Sequence, residues 1–170
     1  MDGVNSLSGE ALHQRCIEAV VEEGERFGVL AQELHHCAGP TRADLDVPVP
    51  WVPEWRARDL VGHVGTVHRW ATAIVQAGTT GPPPRDARPE PPAEGLLDWY
   101  GEGLSELVRA LRGTPRTSPA WHMSPAAEKV AASWARRQAH ELAVHRMDLE
   151  LAAGVPHAPV PMELAEDGVD

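Results

Sequence analysis

SWARRQAHELAVHRMDLELAAG, Ser133–Gly154, decides how the rest of the chain is read. Trp134, Gln138, Glu141, His145, Asp148 and Ala152 recur at threes and fours, the period of one helix face. That face starts apolar and then carries a carboxylate and an imidazole one turn apart. Glu141 and His145 therefore project side by side. Either the helix turns this stripe to water, with Arg137–Glu141 as an ordinary i,i+4 ion pair, or the interior of the fold uses it.

Working outward, Ser124-Pro125 supplies a cap and a first-turn proline, so the helix is expected from near Ser124 to about Ala153. Gly154 and Pro156 stop it. Three further segments carry the same period. The first runs from about Ser8 to Cys37 through Leu12, Cys16, Val20, Phe27, Leu30 and Leu34. The second runs from about Trp55 to Gln76 through Leu60, Val64, Val67, Ala71 and Ile74. The third runs from about Ala93 to Arg112 through Leu96, Tyr100, Leu104, Leu107 and Leu111.

Between them lie breaks. Pro48, Pro50 and Pro53 make Thr41–Pro53 a loop without regular structure, and Gly81–Pro92 (GPPPRDARPEPP) reads as a stiff, exposed linker. No strand-like alternation and no repeat stands out. The pattern predicts an all-α protein, an antiparallel four-helix bundle over residues 1–154. A Pro-rich tail follows over 155–170, closing on the start of a further helix.

The bulk numbers narrow the function. In 170 residues, 15 Lys+Arg face 25 Asp+Glu, a formal net charge of −10. A nucleic-acid binder needs a basic stripe, and an anionic membrane surface needs a basic partner, so neither is expected. MDGVNSLSGE has no basic leader or apolar run, and no stretch approaches a membrane span. Cys16 and Cys37 on one helix would sit about 30 Å apart, beyond disulfide reach. They read as buried thiols of a reducing compartment, which predicts a cytoplasmic protein.

The second helix repeats the spacing of the fourth in Asp59-Leu-Val-Gly-His63, with His63 between core positions Leu60 and Val67. Helices in a bundle approach to about 8–10 Å, close enough for facing side chains to meet at one cation. A His/His/carboxylate set with a fourth position open is the ligand pattern of a catalytic rather than a structural zinc site. Mixed N/O ligands also suit nickel, iron or manganese.

Other residues point elsewhere. Asp59 in a first helical turn suits the helix dipole, as His35-His36 suit the end of the first helix. His68 and His140 lie five residues from a ligand candidate and read as supporting or surface residues. His13, His122 and His157 carry no pattern. Trp51, Trp55 and Trp121 flank helix ends, where they could wall a pocket. Gly62 and Gly65 read as points of close helix approach. Nucleophile-elbow, P-loop, dinucleotide and C-x-x-C motifs are missing.

Val52–Val75 (VPEWRARDLVGHVGTVHRWATAIV) and Ser133–Gly154 resemble the two signature blocks of the mycothiol-dependent maleylpyruvate isomerase family, within the DinB-like metal-binding four-helix bundles. The likeness implies a divalent metal, usually zinc, held by His63, Glu141 and His145, and mycothiol as a co-substrate whose sulfur is activated at the metal. In the isomerase the thiolate adds to maleylpyruvate, a bond rotates, and loss of the thiol gives fumarylpyruvate. Other bundles of this type are implicated in S-transfer. The closing ELAEDGVD resembles the family's junction to a smaller C-terminal domain, which supplies part of the isomerase site and is absent from this chain.

The expected partners are thus a small-molecule thiol and an electrophilic or acidic substrate. Arg137 or Arg146 could orient such a substrate, although both also suit surface ion pairs. Asp148 could orient a ligand histidine. The alternatives are a non-catalytic metal-binding interaction or regulatory module, and a hydrolase that activates water at the metal.

Overall fold

The computed structural model describes residues 9–36, 45–84 and 87–168. Five helices account for most of them: α1 (Gly9–His36), α2 (Ala57–Ala77), α3 (Leu96–Gly113), α4 (Ala131–Ala153) and α5 (Met162–Asp167). Two short strands, β1 (Pro48–Val49) and β2 (Val52–Arg56), pair antiparallel. Cys37 lies outside the described residues; Cys16 is buried in α1.

The four long helices pack α1 on α4, α2 on α3, α1 on α3 and α2 on α4. Their directions differ from the expected all-antiparallel order. Cys16 is near Arg136 and Glu23 meets Arg146, so α1 and α4 run the same way. Gly62 faces Leu96 and Gly65 faces Trp99, so α2 and α3 also run parallel. Gly24 against Leu104 and Gly28 against Tyr100 make α1 and α3 antiparallel. His63 against Glu141, with Trp70 against Trp134, does the same for α2 and α4.

The parallel α2–α3 pair requires the chain to return along α2, and the proline-rich segment does this. Gly78 ends α2 in the left-handed conformation (φ 62°), which glycine adopts without a Cβ clash. The chain then runs back along α2. The Arg88 guanidinium lies 4.1 Å over the Trp70 ring, Thr66 Oγ1 donates to Pro89 O at 3.1 Å, and Pro91 rests on Gly62. The expected stiff, exposed linker is a strap whose described residues stay largely exposed. Its prolines keep it out of helix and sheet, and α2 supplies the contacts that hold it.

The loop expected over Thr41–Pro53 contains the β1–β2 ribbon in its described part. A two-stranded ribbon consists only of edges, where proline is tolerated. The same backbone leads into α2, as Ala57 N–H donates to Val47 O and Arg58 N–H to Leu45 O, both at 2.9 Å. Two of the first-turn amides that a helix leaves unsatisfied are thereby bonded.

Helix α4 starts later than the Ser124-Pro125 signal. Residues 114–130 form an irregular segment in which Ala120 N–H donates to Lys129 O at 2.9 Å, with Pro119 bridged to Val130. Ala131 and Ala132 N–H donate to Ser118 O and Arg116 O, each at 3.0 Å. Backbone carbonyls satisfy the α4 N-terminus, so no side-chain cap is needed there.

The core sits among the four long helices, with Trp134, Phe27, Ile17, Leu60, Leu107, Leu111, Leu142 and Leu149 fully buried. Arg146 is buried with them, its Nε donating to Glu23 and its Nη1 to Glu150 at 2.6 Å. The surface ion pair expected for Arg146 is an interior one, and it locks α4 to α1. Helix α5 folds back onto α1 and α4. Leu164 is buried, Glu163 pairs with Arg15, and Asp167 Oδ2 meets Arg136 Nε at 2.8 Å and His140 Nε2 at 2.6 Å. No helix among the described residues is long and apolar enough to cross a membrane.

Candidate metal centre

The α2–α4 pair brings His63, Glu141 and His145 together. One ligand atom from each lies within 4.8 Å of the other two, and all three side chains are partly buried. Helical period alone explains two of them: Glu141 and His145 are one turn apart on α4. The third depends on α2 coming close. Gly62 and Gly65 flank His63; the Trp99 ring lies where a Cβ on Gly65 would collide, and Pro91 packs tightly on Gly62.

The carboxylate holds the centre. Glu141 Oε1 is 3.5 Å from His63 Nε2 and 3.4 Å from His145 Nε2. Both spans exceed the 2.7–3.2 Å of a good N–H···O bond. They match the edge of a tetrahedron whose ligands stand about 2.0–2.1 Å from a zinc ion, about 3.4 Å. The two imidazoles meet edge to face, their centroids 5.1 Å apart and their planes at 83°.

Each ligand candidate is braced from outside. His145 Nδ1 lies 3.0 Å from Asp148 Oδ2, which fixes the tautomer and leaves Nε2 free to coordinate. Arg137 Nη2 lies 2.9 Å from Glu141 Oε2, so that oxygen is held while Oε1 faces the histidines. The Trp55 ring packs on His63 at 5.1 Å.

The charges agree with this layout. The adjoining His145 and His63 side chains hold the Glu141 carboxyl far below the usual carboxylate range, aided by Arg137 and against the cost of burial. Burial opposes charge on His145, but the adjoining Glu141 and Asp148 carboxylates outweigh it and raise its pKa. An anionic Glu141 flanked by two imidazoles is a donor set that fits a divalent cation.

The remaining sequence candidates separate cleanly. Asp59 Oδ2 accepts the Arg56 N–H at 2.7 Å and stays at the α2 N-terminus, outside the ligand group. Arg146 points away into the core and cannot reach a substrate at this site. Of the three tryptophans, Trp55 walls the site, Trp51 is 75% exposed, and Trp121 packs on Trp70 at 6.0 Å. His68 is fully buried against Tyr100, with neither ring nitrogen bonded among the described residues. His140 holds Asp167.

A cleft of about 900 Å³ opens beside the group, lined by Glu141 and His145 and by His13, Arg116, His122 and Arg137. Sequence patterning passes over His13, Arg116 and His122, because each lies on a different element and shares no spacing with the ligands.

A family described as the mycothiol maleylpyruvate isomerase N-terminal domain matches residues 30–150, a span that contains His63, Glu141 and His145. No curated protein and no solved structure matches the chain.

Proposed function

The chain belongs to the family of the mycothiol maleylpyruvate isomerase N-terminal domain, and from that premise we propose that it is a cytoplasmic, divalent-metal-dependent enzyme of the isomerase or S-transferase type. Its metal is held by His63, Glu141 and His145, and its co-substrate is a low-molecular-weight thiol of the mycothiol kind. The four long helices are, in this reading, a DinB-like bundle whose α2 and α4 carry the ligands. One observation carries the proposal: two carboxylate–imidazole spans of 3.4 and 3.5 Å, long for hydrogen bonds and right for the edges of a zinc tetrahedron.

A divalent ion bound there would supply Lewis acidity, keeping a thiol ionised at neutral pH. The protein's own residues do the rest. Asp148 orients His145, Arg137 holds the far oxygen of Glu141, and Trp55 packs on the His63 ring. The cleft gives a small molecule access to Glu141 and His145. Asp59 bears on the choice between a catalytic and a structural site. A closed four-ligand site would favour a structural metal, and Asp59, the carboxylate one turn before His63 on α2, is engaged in capping α2.

Elemental analysis of the purified protein tests the reading, alongside Glu141→Ala/His145→Ala. The expected result is about one zinc or nickel ion per chain, lost in the variant while helix content is kept. A metal-free protein that takes up no zinc from excess would end it. With metal established, zinc-dependent consumption of an electrophile that requires added thiol separates the thiol reaction from hydrolysis and from a purely structural ion.

A further inference from the structure

Helix α5 has six residues and no side-chain bond at its N-cap, Pro161. An isolated helix needs about 12–15 residues to hold in water, so α5 keeps its form only while it is docked. The attachment is narrow. Leu164 is the buried residue of α5, and Val160 ahead of it packs on the core.

The rest of the docking is ionic. Glu163 pairs with Arg15, both about half exposed. Asp167 accepts from Arg136 twice, through Oδ2 at 2.8 Å and through its backbone carbonyl at 2.6 Å. Its Oδ2 also lies 2.6 Å from His140 Nε2. Exposed ion pairs hold weakly, so Leu164 and Asp167 carry most of the contact. Upstream, residues 155–161 form no helix or strand and are mostly exposed. They are tied back through Glu150, which accepts the Ala158 N–H at 3.3 Å and meets His157. A short element with so few buried contacts opens at far lower cost than the core does.

What α5 covers is specific. A cavity of about 140 Å³ lies between it and α1, lined by Leu12, Cys16, Ala19, Leu164 and Asp167 among others. Cys16 is 4% exposed. Burial pushes its thiol up to about 11, with the Asp167 carboxylate adding to the rise and Arg136 opposing it. A thiol in that state is inert, because the thiolate is the reacting form. Cys16, Arg136 and His140 also line the cleft that contains Glu141 and His145. The residues that α5 engages are therefore residues of that cleft.

We propose that α5 is a latch. Docked, it buries Cys16 and ties Arg136 and His140 to Asp167. Released, with the four long helices intact, it exposes the thiol and frees both side chains. The device is independent of the reaction proposed above and needs no metal.

The test is the rate at which Cys16 reacts with the disulfide reagent DTNB in the full chain carrying Cys37→Ser. That change leaves Cys16 as the one thiol. The rate is read at fixed pH in native buffer and compared with the urea-unfolded protein. A latch open about 0.1–10% of the time gives a native rate about 10–1,000-fold below the unfolded one. Leu164→Ala removes the buried anchor and should raise the native rate about tenfold or more, with the urea midpoint unmoved. Asp167→Asn keeps the shape but weakens the ionic tie, and should raise the rate about two- to fivefold.

A native rate equal to the unfolded one, or unchanged rates in both variants, would overturn the latch. So would a urea midpoint that falls in step with the rising rate, because α5 would then open only with the core. None of these results touches the metal-content test of the site.

Discussion

Asp148 Oδ2 lies 3.0 Å from His145 Nδ1, on the side of the imidazole opposite the nitrogen that faces Glu141. The two residues are three apart on α4, so the helix itself sets the contact. A carboxylate in this position raises the basicity of the ligand nitrogen and fixes the ring, and such partners are worth about 10–100-fold in metal affinity. Asp148→Asn keeps the shape and loses the charge. Zinc affinity should fall by about tenfold or more with the thermal midpoint nearly unchanged, as competition with a chelator would measure. Unchanged affinity would remove Asp148 from the site.

Gly65 and Gly101 give opposite outcomes for one substitution. A Cβ on Gly65 would collide with the Trp99 ring, which is wedged between α2 and α3, whereas a Cβ on Gly101 meets nothing within 4 Å. Gly65→Ala should destabilise by about 1–3 kcal/mol and loosen the pair that positions His63. Gly101→Ala, exposed inside α3, should stabilise by up to about 1 kcal/mol through helix propensity alone. Urea unfolding of the two variants checks both signs.

The clustering of His63, Glu141 and His145 was legible in the sequence in part because one spacing in it is local. Glu141 and His145 are one turn apart, and His63 sits among apolar residues of α2. Asp148 follows from the same period. Arg146 was not legible as a core residue, because its charge suggests a surface and its partner Glu23 lies 123 residues earlier. The direction of α3 was equally hidden. GPPPRDARPEPP announces an extended segment, but its course along α2 depends on Trp70, Thr66 and Gly62 taking up Arg88, Pro89 and Pro91. The α4 start was misplaced because carbonyls of Arg116 and Ser118 cap it, and backbone carbonyls leave no mark in a sequence.

The Glu23–Arg146–Glu150 group carries a large asymmetry. Both carboxylates are buried beside the guanidinium, and Glu150 also accepts Ala158 N–H and meets His157. Arg146→Met leaves two buried carboxylates without their cation, which costs about 3–5 kcal/mol when one partner of a buried pair is removed. Chemical denaturation should show that loss. A triple change of Glu23, Arg146 and Glu150 to apolar residues of similar volume should recover most of it, since the network's desolvation cost disappears with its charges.

His68 should make the fold acid-sensitive. It is completely buried, and desolvation, with Arg69 nearby, lowers its pKa to about 3. An unfolded chain protonates it near pH 6.5. Between those values the unfolded state binds the extra proton, so stability rises with pH across the window and is lost as pH falls through it. From pH 7 to pH 5 the loss assignable to this residue is about 2 kcal/mol. His68→Phe removes a side chain whose nitrogens have no partner among the described residues. It should be neutral or stabilising at pH 7, because replacing an unsatisfied polar group by an apolar one of similar shape carries little penalty. Urea unfolding of both proteins at pH 7 and pH 5 isolates the effect, since His13, His122, Glu141 and His145 titrate in both and cancel in the difference. A wild-type protein that loses no more stability than the variant over this range would mean that His68 is bonded or hydrated in solution.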